Sequence, residues 1–351
     1  MTKRVPTTGV VAKDGPAGPV SLVGSNTPAV HSSGAVAVCR DTVATPGIGY
    51  GFSMAGIFTP LKPGEPIGVV ALSGPVDPAK LGEGIAVLES WGHPVIQAPN
   101  LTSRDGFLAG GDEDRRDGLQ WVLDRGARVL VAARGGYGVT RLLPHLPLAD
   151  MAERGVTFVG FSDLSALLNG MVEAGSAPQI HGPMVAAGLA RPRNADRLRA
   201  MLDGGLVGEV LLEFGGSQVL RPGHVRGRSV GGNLAMITSS IGTSYEPDFS
   251  GSVLFLEEVG EPPYRLDRML THLWGSGRLR SVKALICGSL RGCGRVRERS
   301  GMWREILLER APKGVPIVVD VPFGHGAVNL AFPIGARVEV DTASGEIRWS
   351  T

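Results

Sequence analysis

The sequence predicts an α/β protein in two folded parts: an N-terminal part on a mainly parallel sheet, then a smaller, β-rich α/β part. Three observations predict this. From Pro66 onward, short apolar runs alternate with amphipathic helical segments, the pattern of a parallel sheet covered on both faces. Beyond about residue 208 the strand-like runs crowd together and helices become fewer. The length, 351 residues, suits about two domains.

Taken in order, residues 1–62 are rich in Gly, Pro, Ser, Thr, Ala and Val, poor in charge and aperiodic, so they read as a disordered extension. Met54 opens "MAGIFTPLKPGEPIGVVALSG" and reads as an alternative start of translation, which mass spectrometry of the native N-terminus would check. The N-terminal domain is expected over residues 63–190. In it "PIGVVALSG" is a buried strand, and "AKLGEGIAVLESWG" a helix with Leu81, Ile85 and Leu88 at helical spacing. "DEDRRDGLQWVLDRG" is a second helix, acidic in its first turn, with Leu119, Val122 and Leu123 on one face. Strand "ARVLVAA", loop "RGGYG", strand "VTFVGF" and helix "DLSALLNGMVEAG" follow. Residues 191–207 read as a linker and 208–351 as the second domain. That domain has strands "GEVLLEF", "SQVLRPGHVRG", "GSVLFLEEV" and "VKALICGSL", helices "PYRLDRMLTHLWG" and "GMWREILLERA", and a closing hairpin "ARVEVDTASGEIRWS".

With 43% hydrophobic and 19% charged residues, the chain is globular. Its 52 glycines predict many tight turns. A net charge of +2 gives no electrostatic reason for a nucleic-acid partner, and the basic run "RGCGRVRERS" reads as a solvated loop. Cys39, Cys287 and Cys293 form no CxxC pair and fit free thiols in a reducing compartment. No apolar run approaches the ~18 residues of a membrane span, and no apolar core follows the early positive charges as in a secretory signal. A cytoplasmic location is the expectation.

Four segments could carry chemistry. In "GVTFVGFSDLSALLNG", Ser162 sits between a strand end and a helix start, as a helix cap or as an exposed nucleophile. The turn is not G-x-S-x-G, because Leu164 takes the second glycine's place. In "VAARGGYGVTRLL", consecutive glycines would let backbone N–H groups face a site, or simply make a tight connection. Their spacing is neither GxGxxG nor a P-loop. Glu257 and Glu258 end an apolar strand, and His325 lies in the glycine-bracketed loop "VVDVPFGHGAVN". In chain order these are Ser, acid and His.

In that order the segments "RGGYGVTRLL", "GFSDLSAL", "IHGPM", "GGNLAMITSSIGT", "LFLEEVGEPPYRLDRML" and "VPFGHG" resemble the successive blocks of the LD-carboxypeptidase family, serine peptidase family S66. The resemblance spans about residues 66–345. It implies an N-terminal domain similar to class I glutamine amidotransferases, an active site between the domains, and a homodimer. It makes Ser162 the nucleophile, Glu257 the orienting acid and His325 the base. Backbone N–H groups of Asp163 and Gly136 are the expected oxyanion donors. No metal or other cofactor is called for. Arg134, Gly135, Arg265 and His181 are candidates for substrate binding, the arginines because a carboxypeptidase must hold a free carboxylate.

The implied reaction removes a terminal D-amino acid from an L-centre of a muramoyl tetrapeptide in peptidoglycan recycling. The alternatives are a microcin C immunity-type peptidase acting on a peptidyl nucleotide, and a non-catalytic binding protein on the same scaffold. Three positions depart from the family pattern: Val230 where an aromatic is frequent, Glu258 where aspartate is usual, and Ser165 where threonine is typical.

Overall fold

A computed structural model describes residues 58–294 and 296–350. Met54, Cys39 and the expected extension up to residue 57 lie outside the described residues. Chain order begins β1 (Ile67–Val70), α1 (Pro78–Ser90), β2 (Val95–Gln97), α2 (Asp112–Asp124) and β3 (Val129–Ala132). Then come α3 (Val139–Leu142), α4 (Leu148–Glu153), β4 (Thr157–Gly160), α5 (Ser165–Glu173), β5 (Gln179–His181) and α6 (Pro192–Leu202). β1, β3 and β4 are buried along their whole length, as parallel strands covered on both faces must be. Helix α1 begins where Asp77 accepts hydrogen bonds from the Ala79 and Lys80 N–H groups and Pro78 fixes the first turn.

The second half contains β6 (Val210–Glu213), β7 (Val219–Arg221), β8 (His224–Asn233), α7 (Leu234–Ser239), β9 (Ser252–Val259) and α8 (Pro263–Gly275). It ends with β10 (Ala284–Arg291), α9 (Val296–Arg310), β11 (Ile317–Val318), β12 (Phe332–Ile334), β13 (Arg337–Asp341) and β14 (Glu346–Trp349). The first sheet has the order β12-β5-β4-β3-β1-β2. All its pairings are parallel except β12 on β5. The second has the order β6-β14-β13-β8-β9-β10-β11-β7, parallel from β8 to β11 and antiparallel outside.

The part expected to be smaller carries the wider sheet, eight strands against six. The span 191–207, read as linker, contains α6, whose Leu198, Met201 and Leu202 are buried. Phe58 and Leu61 are buried as well: the Leu61 N–H donates to the Leu202 carbonyl at 2.9 Å, and Phe58 meets Trp349 edge-on at 5.8 Å. Part of the basic run read as a loop, from Val296 on, is helical.

Both sheets belong to the same compact unit. One core joins them, with Phe158 and Val159 of the first sheet in the same cluster as Phe255 and Ile286 of the second. A separate core, including Leu254, Leu256, Leu270 and Trp303, lies under α8 and α9. Strand order in the first sheet reverses between β1 and β3, so the crevice at their carboxyl ends is where such a fold binds ligands. No helix of the described residues is long and apolar enough to cross a membrane.

Candidate active site

Ser162 lies two residues beyond the end of β4, with φ of +63°. Side chains are disfavoured there because Cβ approaches the backbone carbonyl. Its hydroxyl caps no helix; it lies 3.2 Å from His325 Nε2. The preceding glycine loop abuts it so closely that a Cβ on Gly135 would lie 2.9 Å from the Ser162 Cβ. Gly136, with φ of +123°, is exposed beside it. Among the described residues, neither the Gly136 nor the Asp163 N–H has a protein acceptor.

His325 Nδ1 is 2.6 Å from Glu257 Oε2, and the same oxygen accepts the His325 backbone N–H at 3.2 Å. With Nδ1 donating to the carboxylate, Nε2 is left to accept the Ser162 hydroxyl. Glu257 is fully buried, while His325 keeps 17% of its side-chain surface. Phe161 packs edge-on against the imidazole at 4.8 Å. The loop can approach this closely because Gly324, at φ +91°, lacks a Cβ, which would stand 2.6 Å from Glu257 Oε2. Asn329 Oδ1 accepts the Gly324 N–H at 2.8 Å, and Asn194 Oδ1 accepts the Asn329 N–H at 3.0 Å, which ties the loop to α6.

Glu258 points the other way, as alternation along β9 requires. Its carboxylate accepts from Asn233 Nδ2, the Val259 N–H and the Ala235 N–H, each at 2.8 Å, and so fastens the start of α7. Burial pushes its carboxyl above the usual range.

The remaining candidates separate. Asp163 is buried, and its Oδ2 accepts from Ser73 Oγ at 2.5 Å and the Val139 N–H at 2.8 Å. Burial raises its pKa. The carboxylate therefore pins the loop after β1 and the start of α3 to the serine turn. His181 is fully buried, stacked on Phe332 at 4.7 Å and edge-on to Phe323 at 5.7 Å, with neither ring nitrogen hydrogen bonded. It exposes no surface to a substrate, and desolvation, with His325 nearby, brings its pKa down to about 3. Arg265 is half-exposed on α8 and engaged by Glu261 at 3.0 Å. Arg134 donates to the Pro75 carbonyl at 2.8 Å beside the glycine loop.

Sequence reasoning missed the residues that hold these pieces together. Buried Arg115 donates to the carbonyls of Leu72 and Gly138, joining the loops after β1 and β3, and pairs with Asp112. Asn169 on α5 exchanges hydrogen bonds with Gly231, to its carbonyl at 2.8 Å and from its N–H at 3.1 Å, which docks the first sheet's helix on β8. Ser165 Oγ adds an acceptor for the Asn233 N–H at 2.9 Å. A polar residue inside an apolar helix pattern was the available signal for Asn169.

Comparison with known proteins gives matches along most of the described residues. Residues 67–182 match the LD-carboxypeptidase N-terminal domain, and residues 226–340 the LD-carboxypeptidase C-terminal domain. A relative in Synechocystis sp. named for carboxypeptidase activity is 36% identical over 296 residues, covering 82% of this chain and 95% of its own. The murein tetrapeptide carboxypeptidase of Pseudomonas aeruginosa is 34% identical over 266 residues, covering 71% of this chain and 84% of its own. The crystal structure of muramoyltetrapeptide carboxypeptidase from Oxalobacter formigenes superposes with a TM-score of 0.71 at 29% identity, over 80% of this chain and 97% of that one. Two matched domains in order, on relatives covered nearly end to end, establish that the chain belongs to the LD-carboxypeptidase family of peptidases.

Proposed function

We propose that this chain is a serine carboxypeptidase that removes the terminal D-amino acid of muramoyl tetrapeptides, cleaving its amide bond to an L-configured diamino residue. The observation that carries the reading is the relay from Ser162 through His325 to Glu257, at 3.2 and 2.6 Å, assembled from a turn after β4, the loop between β11 and β12, and strand β9. His325 Nε2 takes the hydroxyl proton as Ser162 Oγ attacks the carbonyl, and later gives it to the leaving amine. Glu257 holds the imidazole tautomer and steadies the imidazolium. The unpaired N–H groups of Gly136 and Asp163 meet the developing oxyanion; one such donor is typically worth ~10²–10³ in rate. Water then resolves the acyl-enzyme. The similarity to named murein and muramoyl tetrapeptide carboxypeptidases supports the substrate class and a place in peptidoglycan recycling.

Mass spectrometry of a muramoyl or free tetrapeptide after incubation tests this. Loss of one D-alanine with wild type, and none with Ser162→Ala, is the expected result. An intact tetrapeptide alongside cleavage of an aminoacyl nucleotide would move the substrate class, and cleavage by both enzymes would remove Ser162 from its role.

A further inference from the structure

Beside the glycine loop opens a cavity of about 640 Å³, within the range of small-molecule sites. Pro75 and Gly136 line it next to Ser162, together with Arg104, Phe107, Arg134 and Tyr137. Two features set it apart from ordinary surface. Phe107 and Tyr137, from the loops after β2 and β3, are 66% and 48% exposed and meet edge-on at 5.7 Å. Both cations that line it are arginine, and no carboxylate lines it. Arg134 is held by the Pro75 carbonyl, whereas among the described residues no hydrogen bond or ion pair engages the Arg104 guanidinium. A free planar fork beside an exposed aromatic pair suits a carboxylate carried on a hydrocarbon stem.

We propose that Arg104 binds a substrate carboxylate in this cavity, with the Phe107–Tyr137 pair packing on the adjoining hydrocarbon. This rests on the carboxypeptidase reading above and deepens it. Two groups flanking the cleaved bond carry the required chemistry: the terminal carboxylate of the D-amino acid, and a carboxylate on the side chain of the diamino residue. Arg134, already anchored, contributes field and not a second fork.

The test measures kcat and KM for wild type, Arg104→Lys and Arg104→Met on three tetrapeptides: one with both carboxylates, one amidated at its C-terminus, and one with lysine as the diamino residue. With the intact peptide, Arg104→Met raises KM roughly 10- to 100-fold with kcat little changed, as expected for a charged hydrogen-bonding group that binds ground and transition states alike. Arg104→Lys recovers part of the loss. The penalty disappears on whichever edited peptide lacks the bound carboxylate, because mutation and edit then remove the same interaction. An unchanged KM in Arg104→Met, or an equal penalty on all three peptides, overturns the proposal. Wild type that cleaves none of the three overturns the carboxypeptidase reading itself, and the proposal falls with it.

Discussion

At Ser162 the backbone and the chemistry make opposing demands. A φ of +63° suits glycine, yet a hydroxyl is needed where the turn projects. Two variants separate the terms. Ser162→Ala and Ser162→Gly both remove the hydroxyl, and each should lose about 10⁴–10⁶ of kcat by analogy with other triads. Ser162→Ala keeps the strained Cβ, so Ser162→Gly should unfold at higher denaturant, by about 1 kcal/mol, in urea titrations. Equal midpoints would mean the turn stores no strain. The neighbouring glutamates divide in the same manner. Glu257→Gln should cost kcat and leave stability nearly intact. Glu258→Gln should instead lower the melting temperature, because its amide N–H₂ would face a backbone donor and leave a buried group unpaired, at about 1–3 kcal/mol. The sequence shows two adjacent acids but not their faces; strand alternation decides which reaches His325.

Among the elements, the span from β11 to β12 matters most for the chemistry. It leaves the second sheet at Val318, carries His325, and joins the first sheet at Phe332. Asp320 near its start is, with Ser162, one of two non-glycine residues at positive φ among the described residues. Adding a methyl at Gly324 should push the base away from its acid: Gly324→Ala is expected to lower kcat at least tenfold while circular dichroism shows a folded protein. Wild-type kcat in that variant would mean that the loop yields freely. Helices α1, α2, α5 and α8 were legible because each repeats its apolar positions over several turns. Strands β2, β5, β11 and β12 have two or three residues each, too few to establish any period, and pairing partners far along the chain create them. The order of Ser162, Glu257 and His325 was legible because Ser162 and His325 sit in turns beside glycines and Glu257 closes an apolar strand run. The burial of His181 was not, because Phe161, Phe323 and Phe332 reach it only through tertiary packing.

Across the whole molecule, buried His181 ties stability to pH. Its ordinary pKa of 6.5 falls to about 3 in the fold, so below 6.5 the unfolded chain takes up a proton that the folded one refuses. The stabilisation is complete above 6.5 and drains away as pH falls toward 3, by at most about 1.4 kcal/mol per pH unit. Urea unfolding at pH 7.5 and 5.0 should show wild type losing more stability than His181→Phe, which keeps the ring stack without the proton. Identical losses would show that the imidazole is not the cause.

The strap bearing His325 has a consequence for how the enzyme comes to life. Strand β12 completes the first sheet, yet it lies near the far end of the chain, beyond the whole central part of the second sheet. A chain truncated before Phe332 would leave β5 an open edge and His325 without its second anchor. On the ribosome, Ser162 and Glu257 are made long before the segment that aligns them. Hydrolytic competence should therefore arrive last, as a sign that both sheets have closed on one another.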